Sequence, residues 1–252
     1  MHSRLFQELK LSMEPVAIFF TDEKPEKAMQ FREGERGCVG AVLVAVAAKG
    51  KTAVFDRKTY GCPGGGVGLG FGDTYGTAFP VECLLSTGDE ALAQLGKENP
   101  YPLGRGLRFH ATPELAEQSR RSFPYADIAR EYVVFRPFSE VNVEEPPSLV
   151  CVFANPDQLS CLVIMSGFHR GGTPSVAATS AAACQSIVYA YHEMGKEKPQ
   201  AILGFFDISQ RTSLAKDLLS FTIPFTMYQE MEDSAEESCL TTDSWKKLAS
   251  RW

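Results

Sequence analysis

Few residues that usually announce a function are present. The 252 residues include only four histidines and two tryptophans. There is no lysine- or arginine-rich block, and the formal net charge is -6. The electrostatic footprint of a nucleic-acid binder is missing, as is the basic patch that would hold an anionic membrane. The longest apolar stretch, Val39–Ala48, is roughly half of the ~20 residues a spanning helix needs. Residues 1–12 mix apolar and charged positions and lack the continuous apolar segment of a secretory leader. These absences point to a cytoplasmic protein whose partners include neither nucleic acid nor membrane.

Familiar catalytic signatures are missing too. The glycine run has no Gly-Lys-Ser/Thr, so it is not a Walker loop. Its glycines are too dense for a dinucleotide fingerprint, and no acidic residue ends a second strand at the right distance. Neither a zinc-protease His-Glu-x-x-His nor a nucleophile-elbow Gly-x-Ser-x-Gly with a following histidine is found. No repeat of solenoid period is evident.

Cysteine is present in quantity. Seven are scattered at 38, 62, 83, 151, 161, 184 and 239. A reducing cytoplasm keeps thiols free, and an odd number at irregular spacing is no disulfide framework. They read as buried small hydrophobes, free thiols, or ligands of a metal or cluster.

Element signals alternate irregularly along the chain. Residues 2–11 read as a short helix and 15–20 as a strand. Cys38–Ala48 reads as a buried helix stopped by Gly50, with a short strand at Thr52–Phe55. Asp89–Leu95 is helix-like, and Asn99–Gly106 carries turn residues. Thr112-Pro113-Glu114 and Asn155-Pro156-Asp157 each open a helix with a cap followed by proline. Glu131–Phe138, Ser148–Phe153 and Gln200–Phe206 read as strands. Thr179–His192 and Ser213–Leu219 read as helices, and Phe225 to about Met231 as a last one. The acidic run Glu230–Glu237 reads as a solvated helix face or exposed turn. The expectation is an α+β fold, a single domain over residues 1–252 with a mixed β-sheet and packed helices. Pro146-Pro147 marks a possible internal division, read as a loop within one sheet.

The segment Gly61–Gly76 stands out, with eight glycines. By propensity it is neither a good helix nor a good strand. Val67, Leu69 and Phe71 alternate with glycines, so one side is expected to pack inward. Cys62-Pro63 followed by Gly64 and Gly65 describes a bend whose N–H groups would stabilise a thiolate, an anion or a cluster. A tight turn with an inert cysteine is the plain alternative. Cys38 sits at a helix start, where free N–H groups favour negative charge. Cys184 falls within the first turns of an alanine-rich helix. Both also fit as small core residues. His169, in the loop His169-Arg170-Gly171-Gly172, is a candidate base for Cys62, or a plain surface histidine. Asp207 and Arg211 follow an apolar strand and read as a ligand-lining pair or as a cap with a surface salt bridge.

The order Pro15-Val16-Ala17-Ile18-Phe19, a helix headed by Cys38, then Gly61-Cys62-Pro63-Gly64-Gly65 with Gly68-Leu69-Gly70, is similar to domain-of-unknown-function family 169, also labelled ArCR. Val152–Leu159 resembles that family's apolar strand and Asn-Pro-x-Gln turn, and Ile223-Pro224 fits as well. The resemblance runs from about Leu5 to about Met231. It implies a prokaryotic cytosolic protein, and it carries over Cys38, Cys62 and Cys184 as a site. Ala181-Ala182-Ala183 ahead of Cys184 departs from the pattern.

The expected function is iron–sulfur or metal binding, in a redox or metal-handling role. Cys38, Cys62 and Cys184 would be ligands, with Gly64 and Gly65 beside the cofactor. The alternative is a small-molecule binding module or cysteine-dependent enzyme built on the glycine loop. A small-molecule ligand and a homo-oligomer are the partners left open.

Overall fold

The computed structural model describes residues 1–77, 80–93, 104–171, 175–178 and 182–251. A seven-stranded sheet forms its middle layer. The strands are β1 (Val16–Thr21), β2 (Ala53–Phe55), β3 (Tyr132–Pro137), β4 (Leu149–Ala154), β5 (Val176–Ala178), β6 (Ala201–Gly204) and β7 (Leu219–Pro224). Their order across the sheet is β2-β3-β1-β4-β7-β6-β5. All described pairings are antiparallel except β5 with β6. The mixed sheet of the α+β expectation is therefore present. Strands on both sides of Pro146-Pro147 belong to it.

Helices cover both faces. On one lie α1 (Arg4–Leu9), α7 (Pro156–Ser166), α9 (Phe225–Asp233) and α10 (Asp243–Ala249), which pack Leu9, Leu162, Met231 and Trp245 against Val150, Val152 and Phe221. On the other lie α2 (Val39–Lys49) and α8 (Gln185–Glu193), which pack Leu43, Val46 and Ile187 against Leu149, Cys151 and Phe153. The alternation along β4 follows from the period of two of a strand. With both faces covered, every residue of β4 is buried and the strand reads as a continuous apolar run. Each fully buried Leu or Phe here contributes roughly 1.5–3 kcal/mol. Short helices α3 (Pro63–Gly68), α4 (Val81–Leu85), α5 (Glu90–Ala93) and α6 (Pro113–Arg121) lie between β2 and β3 in sequence.

Most helix starts obey the local signals. Asn155 and Gln158 form a reciprocal capping box at α7, with Pro156 at the first helical position. Gln158 is buried and also donates from Nε2 to the carbonyls of Leu9 and Lys10, at 2.9 and 3.2 Å. Thr112 caps α6, and left-handed Gly50 ends α2.

Several expectations need correction. Ser213–Leu219 is not helical: Arg211–Ser213 is a 3-10 turn, and Leu219 opens β7. Its neighbours Phe221, Thr222 and Ile223 suit a strand, and pairing with β4 and β6 on either side overrides the helical reading. Strand β5 and helix α10 were not expected. Part of the acidic run is engaged: Glu232 accepts from Ser3 Oγ and from the Arg4 and Leu5 N–H groups at the start of α1. The turn expected over 99–106 and the loop over 167–174 fall partly outside the described residues.

Candidate functional site

Cys38, Cys62 and Cys184 each stand at the N-cap of a helix. All three line one cavity of about 690 Å³.

Cys38 is extended and precedes the eleven residues of α2. Burial pushes its thiol up to about 11; charge on Cys62 and Asp207 adds to this, while the N–H groups of Ala41 and Gly40 oppose it.

Cys62 is also extended, and its Sγ accepts a hydrogen bond from the Gly65 N–H at 3.2 Å. Pro63 takes the first helical position, where a missing N–H costs nothing. The glycine-rich segment is thus helical over Pro63–Gly68, contrary to the propensity-based expectation. Tertiary packing decides the matter. A methyl group on Gly68 would lie 2.7 Å from the Cys184 carbonyl oxygen and 2.8 Å from its Sγ. One on Gly40 would lie 2.8 Å from the Ala183 Cβ. Glycine at these positions lets the start of α2 and the end of α3 approach the start of α8 more closely than side chains allow.

Cys184 is buried and sits just ahead of α8, not within its first turns as expected. Residues 179–181 of the expected helix lie outside the described residues. The Cys184 thiol donates to the Gly64 carbonyl at 3.2 Å. Burial raises it well above the usual thiol range, and charge on Cys62, Cys38 and Asp207 raises it further. Cys38, Cys62 and Cys184 thus line one cavity, where the Gly64 carbonyl accepts from Cys184 and the Gly65 N–H donates to Cys62.

Asp207 lines the same cavity, nearly buried, and accepts from the Ser209 N–H and hydroxyl at 2.9 and 2.6 Å. Arg211 makes no ion pair with it; its guanidinium donates to the carbonyls of Leu218, Ala215 and Lys216. Cys184 and Asp207 both follow the carboxyl ends of the parallel strands β5 and β6, the edge of an α/β crossover where ligands are commonly held.

Tyr75, Gln185, His110 and Arg120 are among the other polar residues of the lining. Burial raises the Tyr75 phenol, charge on Cys184 and Cys62 raises it further, and a hydrogen bond with Gln185 opposes the shift. Arg120 is bound to Asp73, Glu82 and Glu117 at 2.8, 2.9 and 3.0 Å, clamping α4 to α6. The outer wall is apolar, built from Val81, Leu84, Leu85, Leu107, Phe109 and Phe123. No local pattern marked these residues, because they meet only through packing of α4, α6 and the segments that flank α6.

Other sequence candidates lie elsewhere. His169 meets Ser234 Oγ at 2.8 Å beside the end of α9 and does not line the cavity, so it is not paired with Cys62. Cys151 is core. Cys161 and Cys239 contact each other, and Cys239 is half-buried, not simply exposed. Among the described residues, no three His, Cys, Asp or Glu side chains form a group that could hold a metal ion. No described helix is long and apolar enough to cross a membrane.

The fold and site define an α+β protein with a thiol-lined cavity at helix starts. The chain belongs to domain-of-unknown-function family 169, described as uncharacterised ArCR, whose profile matches residues 4–234. No curated protein and no solved structure matches it.

Proposed function

We propose that this chain binds an iron–sulfur cluster through Cys38, Cys62 and Cys184 and serves a redox or metal-handling role. The observation that carries the reading is that three cysteines from distant segments, each at the N-cap position of a helix, line one cavity. The donor chemistry fits, since thiolates are the usual cluster ligands and backbone N–H groups directed at sulfur tune them. A hydrogen bond of that kind already reaches Cys62. Such a cluster would supply one-electron chemistry or, at an iron without a protein ligand, a binding position facing the cavity.

The raised thiols weigh against Cys38 and Cys184 as nucleophiles. A nucleophile needs a depressed pKa, whereas Cys38 and Cys184 are both shifted upward. Buried thiols lose their protons to solvent most readily when a bound cation takes their place on sulfur. The apolar wall favours a small molecule with a hydrophobic body above the thiols. This chemistry is at home in the cytoplasm, where thiols stay reduced.

The test is purification without air, followed by iron, acid-labile sulfide and zinc analysis of the wild type and of Cys38→Ser, Cys62→Ser and Cys184→Ser. Iron and sulfide in the wild type and their loss in each variant are expected. Protein free of both, with Cys62→Ser as stable as the wild type, would overturn the reading.

A further inference from the structure

A second cysteine pair lies away from the cavity. Cys161 is buried on α7, in the core on the opposite face of the sheet. Cys239 is half-buried in the 3-10 turn Cys239–Thr241 that leads into α10. Their sulfurs are 3.5 Å apart. They come from segments 78 positions apart in sequence.

We infer that Cys161 and Cys239 form a reversible disulfide site, at which a hydroperoxide joins α7 to the turn before α10. The sulfurs need only close to the ~2.05 Å of a disulfide bond. Cys239 is the more accessible thiol, and the Cys161 thiol held against it lowers its pKa, which favours the attacking thiolate. Cys161 is raised by the same contact and by burial, which suits a resolving thiol. The Cys239 thiolate attacks the peroxide and the O–O bond breaks, leaving a Cys239 sulfenic acid and, after protonation, an alcohol or water. The Cys161 sulfur then attacks the sulfenic sulfur, the S–O bond breaks, and the hydroxyl leaves with the thiol proton as water. Two thiols lose two electrons and two protons, and the peroxide takes up both.

The link would pin the C-terminal segment. Helix α10 rests on the core through Trp245 and Ala249, and Arg251 reaches Asp157 at the start of α7 at 3.1 Å. Cys239 lies beyond the stretch the family profile matches, so the device does not come with that match. It is also independent of the cavity cysteines.

The experiment treats the full chain with hydrogen peroxide, blocks the remaining thiols by alkylation, and maps peptides without reduction. A peptide linking Cys161 to Cys239, removed by dithiothreitol, is expected. So is a rise in Tm of roughly 5–10 °C that Cys239→Ser abolishes. In Cys161→Ser, dimedone should label Cys239 as a trapped sulfenic acid. Over-oxidised Cys239 with Cys161 still free, or a link from either residue to another cysteine, would overturn the inference. Iron content measured on the same samples reports separately on the cavity site.

Discussion

Cys184 lies so close to the backbone of Gly68 that a single added methyl group would sit 2.7 Å from its carbonyl oxygen. Gly68→Ala must therefore force α3 and α8 apart. A loss of roughly 1–3 kcal/mol is expected, as for other overpacked sites, read as a lower urea midpoint with unchanged m. A midpoint equal to that of the wild type would show that the end of α3 and the start of α8 can separate freely.

Arg120 holds the cavity's outer wall by charge, and its loss should be visible in acid. Hydrogen bonds from Arg120, with Glu82 and Arg121 helping, lower Glu117 to about 2. An unfolded glutamate titrates near ~4.3. A folded pKa below the unfolded one gives stability that is present above about pH 4 and lost as pH falls through about 2. In Arg120→Gln, Glu117 should titrate closer to the ordinary value, and acid unfolding should begin at a higher pH. Carboxyl NMR titration of both proteins is the check; an unmoved Glu117 would assign its shift to Arg121.

Much of the site was readable from the chain, for identifiable reasons. Cys38 precedes an Ala- and Val-rich stretch with a glycine stop, a local helix-start signal, and it is the N-cap of α2; Cys62-Pro63 reads as a bend, and Cys62 is the N-cap of α3. Helix α3 was not readable, because its glycines are chosen for what lies beside them: the Gly68 position is dictated by Cys184. Strand β7 was misjudged at its start because Leu218 and Leu219 continue a helix-like pattern, while its partners β4 and β6 are distant in sequence. The cavity wall left no trace in local pattern, since Arg120 finds Asp73 and Glu82 only in the folded state.

Gln158 joins two functions in one side chain, the α7 capping box and the buried tie to Leu9 and Lys10. Asn155→Ala removes only the cap and should cost about 1 kcal/mol. Gln158→Ala also strips the buried Leu9 carbonyl and the part-buried Lys10 carbonyl of this donor and should cost roughly 2–3 kcal/mol. Denaturant unfolding distinguishes the two; equal losses would show that water replaces the amide without penalty.

The Cys184 thiol reaches the carbonyl of Gly64, 120 positions earlier in the chain. While the polypeptide is being synthesised, Cys38 and Cys62 emerge from the ribosome well before their third companion. Asp207 and strand β7, which bridges β4 and β6, emerge later still. Contacts of such long sequence separation form late. The pocket is therefore assembled only after translation has passed most of the sheet.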